Sequence, residues 1–156
     1  MDKATLLSGI IAALEADMEV LRRAAQTAYE TATAEENIAE NKYDTLGLEA
    51  SYLATGQARR TAEIRQALLT YQQLLLRDYD PARGVQVSNL VTLEDEDGGQ
   101  RLLFLGPEAA GLKIGEGDGL VTVITPRSPL GQLLVGRKID DEVSLGAQVF
   151  FVIAVA

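Results

Sequence analysis

The sequence predicts an α+β protein: an N-terminal antiparallel helical hairpin of coiled-coil type over residues 1–80, then a small β-rich domain over 81–156. Three observations predict it. Apolar residues recur at heptad spacing through most of the first part. The first proline is Pro81, followed at once by Gly84, a strong helix-stop signal. Beyond it the apolar period changes to two, in segments rich in Val, Leu and Ile.

The first helix is marked by Leu7, Ile11, Leu14, Met18, Leu21, Ala25, Ala28 and Ala32, in alternating steps of four and three. The seam narrows from Leu and Ile to Ala. Small residues let two helices approach closely, which suits the tapering end of a hairpin. The second stretch runs from about Asp44 to Tyr79, with Leu46, Ala50, Leu53, Ile64, Leu68, Tyr71 and Leu75 at the same spacing. Gln57, Arg60 and Thr61 weaken its middle, and Gly47 and Gly56 each cost about 1 kcal/mol relative to Ala in a helix interior. A short polar link between two such stretches favours an antiparallel pair. Ala32 would then lie near Leu46, and Leu7 near Leu75 at a wide base. Arms of roughly 30 residues would extend about 45 Å.

The segment Asp78 to Gly84 ends the helix and starts a linker. Val85, Val87 and Leu90 to Leu93 read as a strand. Glu94-Asp95-Glu96-Asp97-Gly98-Gly99 reads as an acidic turn, with Arg101 to Leu105 as the returning strand. Gly119 to Thr125 and Gln148 to Val155 are two further strands. Ser128 to Val135 carries one or two helical turns, with Ser128 as cap and Pro129 at the first position. Gly115-Glu116-Gly117-Asp118-Gly119 is a turn, since no helix with Lys-Ser or Lys-Thr follows as a phosphate loop requires. Gly136 to Val143 reads as a charged loop entering a strand.

Composition narrows the chemistry. The 156 residues are 47% hydrophobic and 24% charged, so the chain is rich enough in apolar residues to fold. Formal net charge is -9. A free-standing nucleic-acid binder needs a basic face, so this balance points to a protein partner or a cationic surface. The absence of Cys and His excludes disulfides, Cys/His zinc sites and Cys or Ser-His-Asp nucleophilic machinery. Carboxylates remain as metal ligands, and these suit Mg²⁺ or Ca²⁺. The opening residues show no basic segment leading into an apolar core, and no apolar run reaches membrane-spanning length, so a cytoplasmic protein is expected.

Two charged clusters stand out on the hairpin. Glu35, Glu36, Glu40 and Asp44 fall within ten residues around the expected tip. Crowded carboxylates repel, and a divalent cation would relieve that repulsion. The same charges also suit a solvated connection, with Asp44 favouring a helix N-terminus. Arg22-Arg23 and Arg59-Arg60 would lie about level on the two arms. They could meet a phosphate backbone or an acidic surface, or simply pair with Asp17, Glu19 and Glu63.

In this order the pieces resemble the bacterial Gre transcript-cleavage factors (GreA/GreB). Val91-Thr92-Leu93-Glu94-Asp95 resembles the opening strand of that family's C-terminal domain. Leu105-Gly106-Pro107-Glu108-Ala109-Ala110 resembles the segment before its Gly-containing turn. Ser128-Pro129-Leu130-Gly131-Gln132-Leu133-Leu134-Val135-Gly136-Arg137-Lys138 resembles its Ser-Pro-hydrophobic-Gly run, and Asp141-Glu142-Val143 its Gly-Asp-Glu-Val ending. The resemblance spans nearly the whole chain, by pattern more than identity in the hairpin. It implies an FKBP-like C-terminal domain that docks on RNA polymerase through Ser128, Pro129, Leu130 and Gly131. It also implies a hairpin that enters the secondary channel, where tip carboxylates help hold a Mg²⁺ shared with the polymerase active site. The nascent RNA 3′ end would be met only inside that complex, near the Arg pairs. The family's tip pattern is Asp, hydrophobic, Ser, Glu, Asn. Here Asn37-Ile38-Ala39-Glu40-Asn41 keeps Glu40 and Asn41 but has Asn37 for Asp and Ala39 for Ser. The implied catalytic pair is therefore Glu40 with Glu36, and the implied metal set Glu40, Glu36 and Asn37, with no cofactor held tightly. The chain would not be an enzyme itself.

Two functions follow from this resemblance: stimulation of transcript cleavage, or occupancy of the channel as a regulator or inhibitor without cleavage. A peptidyl-prolyl isomerase is a third reading, but Phe104, Phe150 and Phe151 are the only aromatic residues after Tyr79. A chaperone-like coiled-coil module is a fourth. A monomer is expected, because an intramolecular hairpin already buries the apolar stripe.

Overall fold

The structure, a computed structural model, describes the backbone of residues 2–36 and 43–156, and the side chains of 2–31 and 55–156. Two long helices, α1 (Lys3–Glu36) and α2 (Tyr43–Gln72), precede a six-stranded mixed sheet. Its strands are β1 (Leu90–Asp95), β2 (Gln100–Leu105), β3 (Lys113–Ile114), β4 (Val121–Ile124), β5 (Glu142–Leu145) and β6 (Gln148–Val155), with a short helix α3 (Pro129–Leu134) after β4. The fold is α+β, helices first, as expected. The chain forms two compact units, Ala12–Leu68 and Met1–Ile11 with Leu69–Ala156.

Within the first unit, Leu14, Ile64 and Ala67 are buried. Met18, Leu21 and Ala24 continue the α1 stripe half-buried, while Ala25 and Ala28 are exposed. The α2 stripe runs through Gln57, Thr61, Ile64 and Leu68. Polar seam residues bury less apolar area, so this stretch of the arm gains less from the hydrophobic effect. The expected contact of Ala32 with Leu46 concerns side chains outside the described residues.

The second unit holds the sheet, in strand order β3-β4-β2-β1-β6-β5. Only the β2–β4 pair is parallel. Alternation along the strands sends Val91, Leu93, Leu103, Leu105, Ile124, Val143, Phe150 and Val152 to one face. There they form a single core with Val85 and Leu134 of α3. Phe104, Val121 and Val123 point to the opposite face and are fully buried as well.

The helix ends cover that second face. Leu6, Ile10 and Tyr71 are fully buried, and Gly9 lies so close to Ile114 that a Cβ there would stand 3.1 Å from its Cγ2. The Tyr71 hydroxyl donates to the Glu108 carbonyl at 2.6 Å, and burial pushes its ionisation above the ordinary phenol range. Lys3 Nζ donates to the carbonyls of Arg77 and Ser88, fastening the start of α1 to the segment that enters β1. Its partial burial lowers its pKa, against a nearby Asp78 charge that raises it.

Several expectations are corrected here. The base of α1 turns Leu6 and Ile10 fully inward and leaves Leu7 and Ile11 half-buried, because its first turns must face the sheet. Helix α2 stops at Gln72 rather than Tyr79, and Leu75 is 74% exposed, so it does not close the base. Beyond the helix end the backbone of Arg77 is taken by other partners. Its N–H donates to Ser88 Oγ, and its carbonyl accepts from Asn89 Nδ2. Val85 and Val87 precede the strand rather than extend it; Val85 is wholly buried from a turn held by Asp80 and Gly84. The short strands β3 and β5 complete the sheet.

Candidate functional site

The residues with the most pointed chemistry in the sequence are those of the hairpin connection. Asn37 and Glu40 lie outside the described residues. Glu36 ends α1, and its side chain is also outside them. Their donor set, two carboxylates and an amide, is all oxygen and matches what Mg²⁺ accepts. Among the described residues, no group of three or more acidic side chains is arranged to hold a metal ion.

Of the basic pairs, Arg22 and Arg23 converge on one carboxylate. Arg22 Nε and Nη2 donate to both oxygens of Glu19, at 2.9 and 2.8 Å, and Arg23 Nε adds a third bond at 3.1 Å. Helical spacing of three and four brings them onto Glu19. Arg60 lies 3.7 Å from Glu63. Arg59 is exposed on the same turn. Three of the four guanidinium groups thus carry part of their counter-charge with them. The local field is that of a fork around Glu19, softer than four bare cations.

This fork makes a testable prediction. The hydrogen bond from Arg22, with that from Arg23, holds the Glu19 carboxyl down to about 2, from an ordinary 4.5. The folded value is depressed, so its stabilising contribution is complete above about 4.5 and disappears as pH falls through about 2. The pair is exposed, so the effect on global stability is small. Carbon-13 carboxyl titration should place Glu19 well below the ordinary 4.5, and Arg22→Gln should return it towards that value.

The run Ser128, Pro129, Leu130 and Gly131 follows β4 and opens α3. Ser128 Oγ donates to the Thr125 carbonyl at 2.7 Å and accepts from the N–H groups of Thr125 and Gly131, at 3.2 and 3.3 Å. Pro129 occupies the first helical turn, where its missing N–H costs nothing. Leu130 packs partly against the sheet core. Gly131 is buried, and a Cβ there would come within 1.8 Å of the Thr125 carbonyl oxygen. Of the four, only Pro129 is exposed, beside exposed Arg127 and Gln132. Arg127 pairs with Glu108 at 3.2 Å. The run therefore shapes the corner, and contact with a partner would be made by Pro129 and its neighbours.

Sequence reasoning singled out neither Arg101 nor Lys113, yet both line one groove with Leu130. The usable signal was alternation: Arg101 shares its face with Leu103 and Leu105, at the exposed start of β2. No aromatic residue lines this groove.

No family model matches the chain, and no curated protein matches it. Solved structures do. GreA factor homolog 1 (Gfh1) of Thermus thermophilus is 20% identical at a TM-score of 0.38, with 94% of each chain covered. Thermus aquaticus Gfh1 is 20% identical at a TM-score of 0.36, covering 94% of this chain and 93% of its own. A GreA/GreB elongation factor from Nitrosomonas europaea is 17% identical at a TM-score of 0.37, covering 71% of this chain and 94% of its own. No helix of the described residues is long and apolar enough to cross a membrane.

Proposed function

We propose that this chain is a Gre-type transcription factor that binds RNA polymerase, with its helical arm in the secondary channel and its β domain at the channel rim. The observation that carries the reading is the ordered set of family-like segments in the C-terminal half. Each falls on a distinct element of the fold: Val91–Asp95 on β1, Leu105 to Ala110 leaving β2, Ser128 to Gly131 opening α3, and Glu142-Val143 entering β5. The capped corner at Ser128 supports a fixed presentation of Pro129. The net charge of -9 supports a protein partner over free nucleic acid.

In this reading the chain is no enzyme by itself. The polymerase holds the reacting RNA, and Glu40 with Glu36 would offer carboxylate oxygens to a Mg²⁺ there, with Asn37 as a neutral third ligand. The metal would supply activation of the attacking water. Asn37 favours a second reading, since a neutral amide oxygen binds Mg²⁺ more weakly than a carboxylate. A factor of that kind occupies the channel and regulates without cleaving.

Stalled, backtracked polymerase with end-labelled RNA and Mg²⁺ separates these readings. Shortened transcripts that disappear with Glu40→Gln establish cleavage. No shortening, together with competition against a cleavage factor, establishes occupancy. If the protein neither shortens RNA nor competes, and does not bind polymerase at modest salt, the proposal fails.

A further inference from the structure

The second face of the sheet is open at one end. Over β2 and β4, Phe104, Val121 and Val123 are fully buried, but over β6 the side chains of Phe151 and Ile153 are 38% and 37% exposed. The β1–β6 register shifts between Thr92 and Leu93 and leaves Ile153 without a β1 partner. Phe151 sits within a row that crosses four strands. It is paired with Glu94 of β1 on one side and with Glu142 of β5 on the other, and Glu94 is paired with Gln100 of β2. Residues paired directly across strands point to the same face, so the ring stands between two carboxylates. Gln100 Nε2 donates to Glu94 Oε2 at 3.3 Å. Among the described residues, Glu19, Glu63, Asp80 and Glu108 have arginine partners within ion-pair distance, whereas Glu94 and Glu142 have none.

We propose that this open strip docks a partner protein through one arginine, which lies on the Phe151 ring between Glu94 and Glu142 with aliphatic neighbours over Val149 and Ile153. Charge complementarity chooses the occupant. A purely apolar segment laid on Phe151 and Ile153 would take both carboxylates out of water unpaired, a penalty that opposes the gain from burial. A cation removes that penalty, and the ring selects its kind. Guanidinium is planar and weakly hydrated, so its face can lie on an aromatic ring while the N–H groups along its edges stay free to donate. Neighbouring strands run about 4.8 Å apart, so the Glu94 and Glu142 Cα atoms stand about 10 Å apart with Phe151 midway. The two edges of the guanidinium then face the two carboxylates. An ammonium is a compact, strongly hydrated point charge and gives up the flat contact. Along β6, Val149 and Phe151 alternate onto this face about 7 Å apart, the spacing of residues i and i+2 on an extended partner. Apolar residues two before and two after the arginine share its face and meet Val149 and Ile153.

Other occupants meet the same two charges as repulsion. A phosphate-bearing surface, lipid or nucleic acid, is driven off by the carboxylates that an arginine would satisfy. A second copy, placed by a two-fold axis on this strip, would bring its own Glu94 and Glu142 against these. The inference does not rest on the helical arm entering polymerase, and its test contains no polymerase.

The test uses the full chain and fluorescence anisotropy with a labelled Gly-Ile-Ser-Arg-Ser-Val-Gly peptide. Its counterparts carry lysine, or the neutral isostere citrulline, in place of the arginine. Saturable binding is expected for the arginine peptide, about threefold weaker binding for the lysine form and about tenfold weaker for the citrulline form, with weakening as salt rises. Glu142→Gln should reduce affinity about fivefold with an unchanged unfolding midpoint, because Glu142 is exposed. Phe151→Leu keeps an apolar side chain and should erase the preference for arginine over lysine. If that variant perturbs folding, Glu142→Gln stands as the independent one. Absence of saturable binding at millimolar peptide, equal binding of the citrulline form, or indifference to Glu142→Gln would each overturn the proposal. So would tighter binding of a labelled six-nucleotide RNA or of anionic phospholipid vesicles, or a dimer in sedimentation that Phe151→Leu dissolves.

Discussion

Gly131→Ala is expected to lower the stability of the protein by about 2–3 kcal/mol, read as a shift in the urea midpoint at constant slope. In an exposed helix the same change stabilises by about 1 kcal/mol, so the sign itself is informative. The sign reverses because the new methyl would stand 1.8 Å from the Thr125 carbonyl oxygen and 2.9 Å from Ser128 Oγ. Neither can retreat cheaply. The Thr125 carbonyl already accepts from the Ser128 N–H at 3.0 Å and from its hydroxyl at 2.7 Å. Moving it breaks the corner that starts α3. A neutral or stabilising outcome would show that the corner is loose and that the Ser128 bonds are not what fix α3.

This result bears on function as well as folding. A Ser-Pro-hydrophobic-Gly run looks like a docking signature, and three of its four residues have structural reasons to be what they are. Ser128 caps, Leu130 packs and Gly131 makes room for a carbonyl. Under the proposed function, a loss of polymerase affinity on changing Ser128 or Gly131 would have to be separated from loss of the corner itself. Pro129 is the member whose surface faces solvent.

The fold was legible where period and punctuation agreed. Strand β6, the acidic turn between β1 and β2, and the cap of α3 lie where alternation, glycines and Ser-Pro placed them. The end of α2 was not legible, because Leu75 and Tyr79 continue the apolar spacing and no Gly or Pro intervenes. Past its end, the Arg77 N–H donates to Ser88 and its carbonyl accepts from Asn89, partners distant in sequence. Strand β3 has two residues and no period to read. The shift of the α1 stripe to Leu6 and Ile10 reflects a second packing surface, the sheet, which a heptad rule for paired helices does not contain. The basic pairs were visible as charge, but Glu19 on Arg22 and Arg23, and Glu63 beside Arg60, change their character. The groove was hidden because its residues come from three strands and a helix, joined only by register.

Gly106→Ala and Tyr71→Phe should be strongly coupled. A Cβ at Gly106 would lie 2.1 Å from the Tyr71 hydroxyl oxygen, 3.1 Å from Cζ and 3.2 Å from Val123 Cγ1. The hydroxyl cannot swing away, because Tyr71 is fully buried and bonded to the Glu108 carbonyl. Gly106→Ala alone is expected to cost about 2–3 kcal/mol through overpacking. Tyr71→Phe alone should cost about 1–2 kcal/mol, since it leaves the Glu108 carbonyl without that donor. Together they should cost about 1–2 kcal/mol less than their sum, because the phenylalanine removes the atom that the new methyl would strike. The remaining contacts, at 3.1 and 3.2 Å, are tight but can be relieved by small shifts. Strict additivity in urea unfolding would mean that Tyr71 already has freedom to move. The last turn of α2 would then be held over the sheet by apolar burial alone, without the bond to Glu108.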